Sequence, residues 1–200
     1  MSQGATMNTN PLWVVLLLAS GVIGTTSAAE RELGMFSVEF DPLTTPLGAR
    51  NLLLYVEPDT WNHWSFSAIA FASDFPNWVD DLMGYRNADK GFDVRVRLSP
   101  GATVDRFFRN QRTGWHAGIL AFVWRYEVAR AEDQIKFEDL IIMPRLGFRW
   151  FLWENRNLYL DPFVGMMLER RLGGAAIVDG EQWKASPVLP FATIHVGYHF

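Results

Sequence analysis

The sequence predicts an all-β fold, an eight-stranded antiparallel up-and-down barrel, on three observations. Apolar and polar side chains alternate with a period of two through most of the second half of the chain and less sharply before it, eight segments read as strands, and the connections differ in length between the two ends of the segments. A length of 200 residues suits one domain, and 49% hydrophobic with 20% charged residues exclude a disordered chain. The net charge of −4 comes without a long basic run, so nucleic acid is not an expected partner. Cysteine is absent, which excludes disulfides, thiol nucleophiles, cysteine metal sites and lipoprotein anchoring.

Residues 1–29 read as a signal peptide. "PLWVVLLLASGVIG" has the length of an apolar signal core, and "TTSAAE" offers small residues for cleavage after Ala28 or Ala29, although no Lys or Arg precedes the core. The stretch is short of the roughly 20 residues of a membrane-spanning helix. The barrel domain is therefore expected over residues 30–200, in an exported chain.

The first three strands are expected near 33–41, 50–57 and 63–73. The third sets Trp64, Phe66, Ala68, Ala70 and Ala72 on one face against His63, Ser65 and Ser67. The fourth, "FDVRVRL", opposes Phe92, Val94, Val96 and Leu98 to Asp93, Arg95 and Arg97; with the apolar set outward, the charged set turns inward. The fifth, near 114–127, is largely apolar on both faces, which leaves its register open. In the sixth, "LIIMPRLGFRWFL", Leu140, Ile142, Pro144, Leu146, Phe148, Trp150 and Leu152 oppose Ile141, Met143, Arg145, Gly147, Arg149 and Phe151. In the seventh, Leu158, Leu160, Pro162, Val164, Met166 and Leu168 oppose Tyr159, Asp161, Gly165 and Glu169. The eighth, 188–200, has Val188, Ala192, Ile194, Val196, Tyr198 and Phe200 on its apolar face.

Alternation does not distinguish a lipid-facing surface from a protein core, so other features decide. Trp61, Trp64, Trp115, Trp150 and Trp153 fall at one end of the strands, and Trp78, Trp124, Tyr126 and Trp183 near the other, as two interfacial girdles would require. The later strands reach eleven to fourteen residues, enough to cross hydrocarbon when tilted. "PDTWN" and "WENRN" are short turns at one end, while the other end carries "DFPNWVDDLMGYRNADKG" and "RRLGGAAIVDGEQWKAS"; the segment 99–113 is an exception, a long connection at the short-turn end. The final strand closes on Tyr198 and Phe200 with apolar alternation back to Ile194, and this ending resembles the assembly signal of bacterial outer-membrane proteins. In architecture, residues 33–200 resemble the small outer-membrane barrels typified by OmpA's membrane domain, OmpX and OmpW. That resemblance implies a location in the bacterial outer membrane, with both chain ends on the periplasmic side. It also implies outer-membrane lipids, lipopolysaccharide and the insertion machinery as partners.

An eight-stranded barrel is narrow enough for its side chains to fill. The expected inward set contains Glu39, Asp93, Asp161 and Glu169 with Arg95, Arg97, Arg145 and Arg149, a balanced group that would pair rather than line a wide pore. His63, His116, His195 and His199 all point inward in this register; they are read as hydrogen-bonded interior groups rather than a metal site, and no cofactor is expected. "HWSF" sets His63 and Ser65 two apart on one face, and this resembles the His-x-Ser element of lipid A deacylase barrels, though in the third strand rather than near the C-terminus. Pro144, Pro162 and Pro190 interrupt the last three strands, read as bulges or edge effects, with a lateral route for an acyl chain as the alternative. In the connections, Val79, Leu82 and Met83 before Gly84 have helical spacing, and "TVDRFFRNQR" is amphipathic and basic, so an extracellular or periplasmic protein partner is conceivable. The expected function is that of a non-enzymatic integral barrel, structural or interacting through its loops. The alternatives are a lipid A-modifying acyl hydrolase or transferase and a narrow channel for small solutes.

Overall fold

A computed structural model describes residues 35–76, 78–79, 87, 90–109, 113–152 and 157–200. The signal segment, Trp153 and the expected helical residues Leu82, Met83 and Gly84 lie outside the described residues. The strands are β1 (Met35–Phe40), β2 (Ala49–Glu57), β3 (Trp64–Asp74), β4 (Asp93–Phe107), β5 (Gly114–Arg130), β6 (Asp133–Phe151), β7 (Leu158–Arg171), β8 (Ala176–Val178), β9 (Glu181–Trp183) and β10 (Val188–His199). Eight of them close an antiparallel barrel in the order β1-β10-β7-β6-β5-β4-β3-β2, and β8 with β9 forms a separate hairpin. The all-β, eight-stranded antiparallel barrel is thus observed.

The lower end of the barrel carries both ends of the barrel chain and the connections 58–63, 108–113 and 152–157. The expected exception at 99–113 disappears, because β4 continues through "SPGATVDRF" to Phe107, pairing with β3 from Ser99 to Arg106 and with β5 from Gly101 to Phe107. The first half of what read as a basic amphipathic connection, residues 103–107, is strand. The upper end carries the connections 41–48, 75–92, 131–132 and 172–187. The last of these holds β8 and β9, turned at Asp179 and Gly180 with φ of 48° and 72°. An Asp-Gly pair is suited to the positive φ angles of a two-residue hairpin turn.

In β4 the pairing shifts between Arg97 and Gly101, a β-bulge that reverses which residues face inward. Pro100 has no N–H for the ladder. The Ser99 hydroxyl takes over part of it, donating to the Arg97 carbonyl at 2.7 Å and accepting from the Arg125 N–H at 3.0 Å. Below the bulge Thr103, Asp105 and Phe107 are buried; above it Val94 and Val96 are. This corrects the expected placement of Asp93, Arg95 and Arg97: the bulge turns them outward, where Arg95 pairs with Asp93 at 3.2 Å and Arg97 with Glu127.

The outer face is apolar over a limited height. On β6, Leu140, Ile142, Pro144, Leu146, Phe148 and Trp150 alternate with buried residues, and above them Lys136 and Glu138 take over the same face. Ten steps at about 3.3 Å make about 33 Å of strand, or about 25 Å of height at a tilt of roughly 40°. Above that belt lie exposed ion pairs such as Arg125 with Glu138 at 3.2 Å. There the Arg97 guanidinium, helped by Lys136, holds the Glu127 carboxyl below the usual carboxylate range. At the lower edge Trp61, Trp64, Trp115 and Trp150 are exposed, beside Tyr198 and Phe200 at the end of β10. Tyr198 and Phe200 meet edge to face, and the Phe200 N–H closes the wall onto the Phe36 carbonyl at 2.9 Å. The expected upper girdle differs: Trp78 is exposed, but Trp124, Tyr126 and Trp183 are buried inside. They stack there because the even-numbered positions of β5 face inward and the β8–β9 hairpin folds its tryptophan over them.

Candidate functional site: an ionic plug beneath an apolar chamber

The lower half of the bore is filled by charge. Arg149, with 0% of its surface exposed, projects from β6 and reaches three carboxylates on three strands. It donates to Glu39 at 2.9 Å, to Glu57 at 2.5 Å and to Asp161 at 3.2 Å. The aromatic rings of Tyr159, Phe107 and Tyr55 surround its guanidinium at 4.3, 4.9 and 5.6 Å from the ring centres. Two periods of the alternation higher, Arg145 grips Asp105 with two bonds of 2.9 and 2.5 Å and donates to the Tyr55 hydroxyl at 3.0 Å. A fork of fixed donors matched to a carboxylate is the strongest geometry for such a pair. His116 links the two centres, with Nε2 2.8 Å from Asp161 and Nδ1 3.6 Å from Asp105. His195 sits 3.0 Å from Glu39, and His199 3.0 Å from Glu57.

Small residues on the wall make space for this network. A Cβ on Gly118 would stand 1.9 Å from the Asp105 carboxylate, one on Gly147 2.4 Å from the His116 ring, and one on Gly197 2.2 Å from the Tyr159 ring. The plug is therefore fitted to its wall as closely as an apolar core is.

Four of the expected interior charges, Glu39, Arg145, Arg149 and Asp161, come together in this plug. Glu169 faces inward but near the upper end, where Arg171 pairs with Asp139 and stacks on Phe137. Two plug residues escaped the sequence reading. Asp105 lay in the segment taken for a connection, and Glu57 stood at the end of its strand before Pro58 with no partner visible in the sequence. Of the histidines, His116, His195 and His199 are in the plug, while His63 binds the Phe107 carbonyl at 3.0 Å at the lower rim. Among the described residues no group of three or more His, Asp or Glu side chains is placed to hold a metal ion.

His63 and Ser65 do not form a nucleophile and base pair here. The Ser65 hydroxyl donates to Glu57 at 3.1 Å, and no hydrogen bond joins it to His63 among the described residues. A base must lie within hydrogen-bonding reach of the proton it removes. The serine instead completes the shell of Glu57, which Arg149 already holds.

Above the plug the bore turns apolar and encloses a cavity of about 210 Å³. Its wall includes Leu53, Phe71, Leu120, Trp124, Met143 and Phe163, and His195 marks its floor. Phe71 stacks on Trp124 with ring centres 5.4 Å apart. Trp183 from the hairpin closes the aromatic cluster above against Tyr126 at 5.0 Å. A larger hollow of about 460 Å³ lies at the lower rim beside Trp61, Trp64 and Arg106. The interior thus combines a sealed polar half with a hollow apolar half. Comparison of the chain with protein-family models, with curated proteins and with solved structures finds no match.

Proposed function

We propose that this chain is an integral barrel of the bacterial outer membrane, non-enzymatic, closed to bulk solutes by its ionic plug and exposing its upper loops. The observation that carries the reading is the inverted distribution of polarity. The outer face is apolar over about 25 Å of height, while the buried interior holds Glu39, Glu57, Asp105, Asp161, Arg145 and Arg149. Soluble monomers rarely expose contiguous apolar surface on that scale. In this reading the lower tryptophans, Tyr198 and Phe200 occupy the periplasmic interface, and lipids and lipopolysaccharide cover the belt. The insertion machinery recognises the last strand.

The alternatives lose support for specific reasons. The hydrolase reading needs His63 and Ser65 to meet, and both are engaged elsewhere. The channel reading needs a continuous polar path, and Arg149 and its partners occupy it. The test is electrophoretic mobility of the detergent-solubilised chain before and after boiling, beside a variant lacking Phe200. A heat-dependent shift, with poor assembly of the variant, is expected. A protein that shows no shift and stays in solution without detergent would overturn the membrane reading.

A further inference from the structure

The barrel wall is incomplete beside the apolar chamber. β1 ends at Phe40, and its ladder with β10 covers only Ser37↔His199 to Phe40↔Val196. β10 continues upward from there, so that Val188–His195 pairs with β7 on one side and, among the described residues, has no ladder partner on the other. The upper part of β2 likewise pairs only with β3.

The chemistry of that edge fits an opening. The Phe200 N–H donates to the Phe36 carbonyl, so the alternation of an antiparallel ladder turns the even-numbered residues of β10 toward β1. Pro190 is one of these, and it has no N–H to offer a neighbouring strand. Here the proline expected to mark an edge does mark one. Pro144 and Pro162, paired with Ile119 and Ile194 on one side, fall on the other side in two short gaps of the β6–β7 ladder, which resumes beyond each.

Residues 41–48 span the seam. Asp41 is buried and organises them: its carboxylate accepts from the Leu43 and Thr44 N–H groups at 2.9 and 3.1 Å, and its own N–H donates to Asn51 at 2.7 Å. Across the gap, the Thr193 hydroxyl on β10 donates to the same carboxylate at 2.7 Å. Leu43 and Val188 flank the seam with exposed side chains, which continues the apolar belt up to its edge.

The chamber begins at this seam, where Leu47, Leu189 and Pro190 line it, and runs to Leu120, Phe122 and Trp124 on β5. In the strand order β5 lies four places from β1, directly across the barrel. The space is thus elongated, largely apolar and closed below by His195 and the plug, with Phe75, Trp78 and Val79 lining it above. Its 210 Å³ is more than ten times the ~10–15 Å³ that admits one water. Apolar voids of this kind stay dry and accept apolar guests.

We infer that the seam between β10 and β2 is a lateral portal through which one acyl chain of a membrane lipid enters the chamber, with the Asp41–Thr193 hydrogen bond as its clasp. The inference rests on the membrane reading for the source of the chain. The lipid headgroup stays outside at the seam, and a single straight chain crosses the bore toward Trp124.

The absence of native cysteine allows a direct test. The full mature chain carrying Asp41→Cys and Thr193→Cys is folded in a bile-salt detergent, whose fused rings do not mimic a linear chain. It is then mixed with dipalmitoyl phosphatidylglycerol, oxidised or reduced, and weighed by native mass spectrometry. The unmodified chain and the reduced variant should retain one lipid. The variant oxidised before mixing should retain none, and oxidation after mixing should trap the lipid. Leu120→Trp, which fills the chamber without touching the seam, should also abolish retention. Boiled and unboiled mobility checks that each form is folded and tests the membrane reading separately. Equal retention by the oxidised and reduced forms, or retention of lipid by folded Leu120→Trp, would overturn the portal. So would a folded chain that retains no lipid in any state.

Discussion

Replacing Arg149 by Met should be among the most damaging single changes in this barrel. Methionine keeps much of the stem's volume but removes the guanidinium that Glu39, Glu57 and Asp161 share. Breaking a buried ion pair from one side costs about 3–5 kcal/mol, because the remaining charge stays buried without a partner. Three carboxylates lose a donor at once, so the expected loss lies at the top of that range, about 5 kcal/mol. Urea unfolding in detergent, followed by the mobility of unboiled samples, reads this as a fall in the midpoint. With a slope of about 2 kcal/mol per molar, the fall is about 2.5 M. Adding Glu39→Gln and Glu57→Gln should recover a large part of it, since neutral amides no longer need the arginine. A fall below about 0.5 M for Arg149→Met alone would show that water already solvates these carboxylates, and the plug would not be a seal.

Gly118→Ala should destabilise by about 1–3 kcal/mol in the same titration, because its Cβ would stand 1.9 Å from Asp105 Oδ1 and 2.6 Å from the Val104 carbonyl. Ser99→Ala should cost about 1 kcal/mol by removing the hydroxyl that bridges Arg97 and Arg125 at the bulge, seen as a smaller midpoint shift. Ser65→Ala should leave the lipid A mass spectrum of expressing cells unchanged while lowering the midpoint, since the serine serves Glu57; a lost lipid A modification would restore the hydrolase reading. In planar bilayers the unmodified chain should show no steady conductance, and Arg149→Ala should introduce conducting events; a steady open level without any substitution would restore the channel reading.

The barrel was legible because its outer face is simple. From Leu140 to Trp150 every second residue meets one environment, and a period of two survives any error in strand ends. The fourth strand failed for a local reason: Asp93, Arg95 and Arg97 alternate as cleanly as any interior set, and only the bulge before Gly101 reverses them. A reversal of that kind is set by pairing with β3 and β5, which no window of one strand contains. The inward turn of Trp124 and Trp183 was equally hidden, since a tryptophan at a strand end suits a girdle and a core alike. The plug was half visible. Arg145 and Arg149 stood out as cations in an apolar strand, but Asp105 and Glu57 could be found only through their partners. The Val-Asp-Gly-Glu turn of β8–β9, in contrast, was a readable hairpin signal inside a segment taken as loop.

The two halves of the bore follow from the uneven height of the wall. β5 and β6 run 17 and 19 residues, while β1 runs only 6. All eight strands are present at the lower end, so the ring there is complete, and large charged side chains can be held from every side: Glu39 from β1, Glu57 from β2, Asp105 from β4, Arg149 from β6 and Asp161 from β7. Such charges need that full ring, because each unmatched bond in a buried network carries a high cost. Above Phe40 one strand is missing, and a charge there would face an incomplete shell. The chain lines the chamber at that level mainly with apolar side chains, and charges buried there are held locally, Asp41 by Thr193 and Asp139 by Arg171; a largely apolar wall tolerates a discontinuity that the plug would not. The short first strand therefore determines both where the barrel can be sealed by charge and where it can be entered from the side.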